Sequence, residues 1–125
     1  MSGKYLLDTN AFLFLTSPTA PLEKIQNDFQ FFVSVITELE LLSYGKLTSK
    51  EEIIIHGILK TTSIFNIDNN IKEKTIELRR KYNLKLPDAI IAATAETKAL
   101  PLITNDKSFL KINEIKVLSA EQLLA

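Results

Sequence analysis

Four acidic residues lie at junctions between apolar and polar segments of the chain: Asp8, Glu40, Asp88 and Asp106. Carboxylate oxygens are the ligands that hard divalent cations such as Mg²⁺ and Mn²⁺ prefer. A bound cation of this kind lowers the pKa of water and clamps phosphoryl oxygens during in-line displacement. If the fold brings the four side chains together, they form a metal site suited to phosphoryl chemistry.

Each acid also has an ordinary structural explanation. Asp8 can cap the helix that follows it. Thr37 and Glu40 have the spacing of a capping box, and Asp88 suits the positive end of a helix dipole. Asp106 can be a turn residue. Taken singly, these explanations are the simpler ones, but four acids at one edge of a sheet tip the balance toward a metal site.

The composition removes several other catalytic arrangements. The chain has no cysteine and a single histidine, His56, so neither a thiolate metal site nor a histidine cluster can form. No Ser-His-Asp or Cys-His arrangement competes with the acids. An aspartate after a first strand also begins aspartyl-phosphate phosphatases of the haloacid dehalogenase type. That chemistry needs a second acid two residues later, where this chain has Asn10.

The elements that position the four acids are short apolar strands that alternate with helices. We predict strands at 5–7, 31–34, 63–67, 100–104 and 115–118. Predicted helices cover 11–16, 21–27, 37–44, 49–60, 70–82 and 88–98, and a last capped turn covers 119–122. This alternation indicates an α/β fold with a parallel sheet, helices on both faces and right-handed crossovers. The carboxyl ends of parallel strands share one edge, which is where open α/β folds bind ligands.

Local signals predict where two helices begin and which helix is central. Ser49 with Glu52, and Asn70 with Glu73, have capping-box spacing and therefore predict helix starts. The alanine-rich helix at 88–98 is apolar on most of its circumference. We therefore expect this helix to lie at the centre of the fold.

Composition and charge limit the class of protein. The 125 residues, of which 46% are hydrophobic, suit one globular domain. The formal net charge is zero, so binding to nucleic acid would need a local basic patch. Seven residues are candidates for that patch: Lys46, Lys50, Arg79, Arg80, Lys81, Lys85 and Lys107. No apolar run reaches the length of a membrane span and no signal segment opens the sequence, so we expect a cytoplasmic protein without a membrane partner.

Four segments resemble, in order, the motifs of the PIN domain, and most closely those of small bacterial VapC-type toxins. They are 7–10 (LDTN), 34–41 (SVITELEL), 86–95 (LPDAIIAATA) and 104–109 (TNDKSF). The third segment is the most specific, and the four together span nearly the whole chain. In the second segment the later acid matches the motif, so Glu40 carries over and Glu38 does not.

The resemblance implies a PIN-like three-layer α/β/α fold with a central, mostly parallel sheet of four to five strands. It implies a single nuclease domain over residues 1–125. The implied activity is that of an endoribonuclease that depends on Mg²⁺ or Mn²⁺ and acts as the toxin of a toxin–antitoxin pair. Toxins of this type cut RNA, are usually homodimers and are silenced by a cognate antitoxin.

The resemblance also assigns roles to individual residues. Four acids are expected to bind the metal and to catalyse the reaction: Asp8, Glu40, Asp88 and Asp106. Three polar residues match motif positions and are expected to orient water or the metal ligands: Thr9, Asn10 and Thr104. A water polarised by the metal would then attack the phosphodiester. The alternative is a catalytically inactive PIN-fold module that binds protein or RNA, although the intact set of acids favours the enzyme.

Overall fold

The computed structural model describes residues 3–18, 20 and 29–125 of the chain. Five strands form within these residues: β1 (Gly3–Leu7), β2 (Phe29–Ser34), β3 (Ser63–Phe65), β4 (Leu102–Ile103) and β5 (Val117–Leu118). Six α-helices accompany them: α1 (Thr9–Thr16), α2 (Val35–Leu42), α3 (Ser49–Lys60), α4 (Asn69–Tyr82), α5 (Leu86–Thr97) and α6 (Ala120–Leu124). A 3₁₀ turn at Lys107–Phe109 follows β4. The helix predicted at 21–27 lies outside the described residues.

The strands form one sheet in the order β3-β2-β1-β4-β5, and every strand pair among the described residues is parallel. The predicted α/β class with a parallel sheet of four to five strands is therefore confirmed. From β1 the chain moves outward to β2 and β3, and it then returns to place β4 on the other side of β1. The order of the strands thus reverses between β1 and β4. Open α/β sheets bind ligands at the carboxyl ends of the strands beside such a reversal.

Each face of the sheet has its own hydrophobic core. Successive residues of a strand point to opposite faces, so neighbours in β1 and β4 enter different cores. Leu6 and Leu102 belong to a core shared with α4 and α5. Leu7 and Ile103 belong to a second core shared with α1, α2, α3 and α6. This arrangement confirms the predicted three layers.

The alanine-rich helix α5 lies at the centre of the first core, as predicted. Residues 89–95 are all buried, so the helix presents almost no side to solvent over two turns. The hydroxyl of Thr94 donates a hydrogen bond of 2.7 Å to the carbonyl oxygen of Ile90, which satisfies the polar group of a buried side chain. The packed body of α5 holds its first turn, which contains Asp88, against the edge of the sheet.

Several helices begin, or are capped, one or two residues earlier than predicted. Thr48, not Ser49, caps α3, and it forms a reciprocal capping box with Glu51. Asp68, not Asn70, caps α4. The helix α2 begins two residues earlier than predicted, because the residue that ends β2 also caps it. Capping-box spacing cannot tell which of several neighbouring polar residues has the extended backbone that a cap requires. No described helix is long and apolar enough to cross a membrane.

Candidate active site

The carboxylate of Asp8 is held by hydrogen bonds to both of its oxygens. Its backbone directly follows β1 and caps α1, where Oδ1 accepts a hydrogen bond of 2.8 Å from the amide of Ala11. Its Oδ2 accepts a hydrogen bond from the hydroxyl of Thr104, which directly follows β4. The capping explanation of Asp8 is thus correct. Asp8 also lies where the order of the strands reverses, and its side chain is only 6% exposed there.

Thr104 also organises the segment that contains Asp106. Its Oγ1 accepts a hydrogen bond of 3.0 Å from the amide of Asp106. The Oδ1 of Asp106 in turn accepts a bond of 2.9 Å from the amide of Ser108, at the start of the 3₁₀ turn. Asp106 is therefore a turn residue, as its ordinary explanation predicts. One buried hydroxyl nevertheless links the backbone of Asp106 to the carboxylate of Asp8.

Glu40 lies in the second turn of α2 and is not part of a capping box. Because Ser34 caps this helix, the capping-box explanation that pairs Glu40 with Thr37 is wrong. Instead, Oε1 of Glu40 accepts a hydrogen bond of 2.6 Å from Oγ1 of Thr9. The same hydroxyl lies 3.1 Å from Oγ1 of Thr37, which is fully buried. The side chain of Glu40 is thus directed by α1 rather than by the start of its own helix.

Asp88 differs from the other acids in having a free carboxylate. It occupies the third position of α5, one residue after Pro87, so it lies at the positive end of the helix dipole. Within the described part of the chain, its side chain accepts no hydrogen bond and forms no ion pair. Its two oxygens are therefore available to a ligand.

The four acids line a single pocket of about 210 Å³. Thr9 and Asn10 line it too, whereas Thr104 lies behind Asp8. Two apolar side chains, Ile91 and Phe109, complete its described lining, which includes no basic residue. Ile91, Phe109 and Thr37 all lie within the motif segments, but sequence reasoning gave no site role to the two apolar residues and interpreted Thr37 only as a helix cap. The predicted convergence of the acids is observed, and their roles in catalysis and metal binding remain predictions.

Burial and mutual repulsion disfavour ionisation of two of the acids. Burial raises the pKa of Asp8; hydrogen bonds from Thr104 and Ala11 oppose the rise, and the charges of Asp106 and Glu40 add to it. Burial also raises the pKa of Asp88, and the charge of Asp106 raises it further, while Lys85 opposes the rise. A cation in the pocket would relieve both effects.

The chemistry of the donor set fits Mg²⁺ or Mn²⁺. All the ionisable side chains in the described lining are carboxylates, so every charged donor is an oxygen. Among the described residues, no group of three or more His, Cys, Asp or Glu side chains is close enough to enclose an ion. Mg²⁺ does not need such a cage, because it usually binds one or two carboxylates and keeps several waters. An open pocket walled by carboxylates suits a hydrated ion of this kind.

Comparison with known proteins identifies the family. The family model for the PIN domain matches residues 5–115. A toxin–antitoxin complex from Klebsiella pneumoniae contains a chain with 36% sequence identity and a TM-score of 0.74; the match covers 91% of this chain and 95% of that one. A comparison with curated proteins gave no significant match.

Two further solved structures share the fold at lower sequence identity. VapBC2 from Rickettsia felis, bound to a promoter DNA fragment, has 20% identity and a TM-score of 0.78, with 93% of this chain and 98% of that chain covered. VapBC-1 from nontypeable Haemophilus influenzae has 19% identity and a TM-score of 0.76, with 93% and 97% covered. The match of the family model over most of the chain, together with these likenesses, shows that the chain belongs to the PIN domain family.

Proposed function

We propose that this protein is a metal-dependent endoribonuclease and the toxin of a toxin–antitoxin pair. Membership of the PIN domain family and the likeness to toxin–antitoxin complexes support a nuclease of the toxin type. The observation that supports the activity most directly is the pocket walled by Asp8, Glu40, Asp88 and Asp106. A set of carboxylates without a basic neighbour in the described lining is costly unless a cation joins it.

The residues of the pocket have different roles in the proposed hydrolysis. A bound Mg²⁺ or Mn²⁺ would lower the pKa of a water molecule and neutralise charge on the phosphodiester. The four acids would surround the hydrated ion and bind it directly or through its waters, with Asp8 fixed by its two hydrogen bonds and Glu40 directed by Thr9. Asp88, whose oxygens accept no hydrogen bond from a described residue and whose pKa is raised, would accept the proton of the attacking water. Attack of the water oxygen on phosphorus then breaks one P–O bond of the RNA chain.

The same proposal names the partners and the location. RNA is the substrate, a cognate antitoxin silences the enzyme, and two copies of the chain form a homodimer. The relatives that support an antitoxin are those solved as toxin–antitoxin complexes. We also infer a cytoplasmic location, since RNA and the translation machinery are found there.

Incubation of the purified protein with mixed RNA tests the activity. We expect cleavage in the presence of Mg²⁺ or Mn²⁺ and none in chelator, with Asp88→Asn as the inactive control. Binding of RNA without cleavage under either metal would favour the inactive module instead. Two further measurements test the partners. A small protein encoded beside this gene should bind the enzyme and inhibit it, and light scattering should give the mass of a dimer.

A further inference from the structure

A second pocket adjoins the acid pocket and shares two of its acids. It has a volume of about 280 Å³ and includes Asp88 and Asp106 in its wall. Its other described lining residues come from the segment before α5 and from the 3₁₀ turn and its end: Asn83, Leu84, Lys85, Ser108 and Lys111. A polymer that enters the acid pocket therefore also lies close to two lysines.

The two lysines of this pocket are free to bind an anion. Both Lys85 and Lys111 are exposed, and neither forms an ion pair with any residue that the structure describes. Three other lysines differ, since Lys74, Lys81 and Lys98 form ion pairs with Glu77, Glu114 and Asp68 respectively. Of the predicted basic patch, Lys81 thus already forms an ion pair with a carboxylate of the protein, whereas Lys85 forms none with a described residue.

Further hydrogen-bond donors lie at the same pocket. The hydroxyl oxygen of Ser108 is buried and has no hydrogen-bond partner among the described residues. A serine hydroxyl can rotate between staggered positions to reach an acceptor. The helix α5 starts after Lys85 without a side-chain cap from any described residue, so its positive end also lies here. Phosphate oxygens are acceptors that suit all of these donors.

The segment that contains Lys85 is held in place by the helix before it. Asn83 ends α4 with a left-handed backbone at φ 53°, which turns the chain sharply toward α5. Leu84 is buried, and its carbonyl oxygen accepts a hydrogen bond of 3.2 Å from Nε of Arg79. Arg79 therefore positions this segment, and the backbone of Lys85 needs little ordering when a ligand binds.

We propose that this second pocket binds the phosphate of the nucleotide next to the phosphodiester that is cut. The proposal rests on the proposed endoribonuclease function and names a phosphate subsite for its substrate. Lys85 and Lys111 supply charge, and Ser108 supplies a hydroxyl. The shared wall of Asp88 and Asp106 explains why the lysines are needed here, since these carboxylates alone would repel the RNA backbone.

RNA binding, measured separately from cleavage, tests this proposal. The Asp8→Asn protein in Mg²⁺ serves as the parent, and the anisotropy of a fluorescent oligoribonucleotide of mixed sequence reports binding. The pocket variant carries both Lys85→Gln and Lys111→Gln. It is compared with a control that carries both Lys60→Gln and Lys72→Gln. The control pair removes the same charge from two exposed lysines that form no ion pair with described residues. Lys60 is the last residue of α3, and Lys72 lies in the first turn of α4.

The pocket variant should bind about tenfold more weakly than the control, the loss expected for hydrogen bonds to a charged group. The slope of log affinity against log salt should fall by about 0.7 for one phosphate of a single strand. Lys85→Arg with Lys111→Arg should keep most of the affinity. Equal affinities of the pocket variant and the control would overturn the proposal. If the wild type does not cleave RNA, the nuclease function fails, but this comparison still decides the role of the pocket.

Oligoribonucleotides with one uncharged methylphosphonate linkage each locate the phosphate. For the parent, one such linkage should weaken binding, and in the Lys85→Gln, Lys111→Gln protein that linkage should have no further effect. Where the wild type cuts the RNA, the sensitive linkage should lie next to the cut. Equal losses in both proteins at every linkage would show that the two lysines bind no backbone phosphate, which would overturn the proposal.

Discussion

The hydroxyl of Thr104 donates a hydrogen bond to the carboxylate of Asp8, across 96 residues of sequence. The two residues directly follow β4 and β1, the neighbouring strands at which the order of the sheet reverses. Both side chains are buried. The bond fixes the direction of the carboxylate and opposes the rise in its pKa that burial causes. Thr104 thus favours the charged form of a buried acid at the site where a cation would bind.

Replacing Thr104 should move the pH dependence of RNA cleavage. In Thr104→Val the pKa of Asp8 rises further, because the bond that favours its charged form is lost. Activity requires the carboxylate, so the acidic limb of the pH–rate profile should shift to higher pH. Thr75→Val is the matched control, since Thr75 is a buried threonine whose hydroxyl donates to the carbonyl oxygen of Ile71, within its own helix. An unchanged profile for Thr104→Val would show that the bond does not set the charge of Asp8.

The four acids should be required for cleavage, and a neighbouring acid should not. Asp88→Asn and Glu40→Gln should each reduce the rate at least ~100-fold, because a ligand charge and the position of the ion are lost. Glu38→Gln is the control, since Glu38 lies on the same helix but is absent from the described lining of the acid pocket. Single-turnover cleavage rates measure all three. Comparable losses in Glu38→Gln and Glu40→Gln would remove Glu40 from the site.

Thr9 should act by positioning Glu40. In Thr9→Val the hydrogen bond of 2.6 Å to Oε1 of Glu40 is lost, while the exposed carboxylate remains. We expect a higher Mn²⁺ concentration for half-maximal activity, with Thr9→Ser restoring the wild-type value because it keeps the hydroxyl. Isothermal titration with Mn²⁺ gives a second readout without RNA. If Thr9→Val binds Mn²⁺ as tightly as the wild type, the hydroxyl of Thr9 does not position Glu40.

The features that depend on local sequence could be predicted, and the acid pocket shows this clearly. The burial of α5 follows from its run of small apolar residues. The parallel sheet then brings Asp8 and Asp106 to one edge without further information. Glu40 lines the same pocket, where Thr9 directs its side chain, and its spacing from Thr37 did not indicate this contact.

The contacts that hold the acids could not be predicted, because their partners are distant in sequence. The bond from Thr9 to Glu40 joins residues 31 positions apart, and it depends on how α1 packs beside α2. Thr48 rather than Ser49 is the cap because Thr48 has the extended backbone that a cap requires, and local propensity does not encode that choice. The second pocket likewise arises from the meeting of Lys85 and Lys111 across the fold.

Repulsion among the acids should make the metal-free protein less stable than a variant with one charge removed. Asp88→Asn keeps the shape of the side chain and removes one of the charges that line the pocket. In chelator this variant should melt at a higher temperature than the wild type, although it is inactive. In excess Mn²⁺ the wild type should gain roughly 2.7 kcal/mol at 100 times the dissociation constant, and the gain of the variant should be smaller.

The pH dependence of the melting temperatures tests whether the charge of Asp88 destabilises the metal-free protein. Because the pKa of Asp88 is raised in the folded state, the folded protein binds its proton more tightly than the unfolded chain does. The free energy of unfolding therefore falls as pH rises from the ordinary carboxyl pKa through the raised one. The advantage of Asp88→Asn in chelator should be fully present above the raised pKa and should disappear below the ordinary one. Thermal melts of both proteins across this range are the measurement, with Glu38→Gln as the control.

A wild type that shows no shift with Mn²⁺, together with an Asp88→Asn protein that melts lower at every pH, would mean that the four acids do not share a cation. In that case capping and turn formation would account for Asp8 and Asp106.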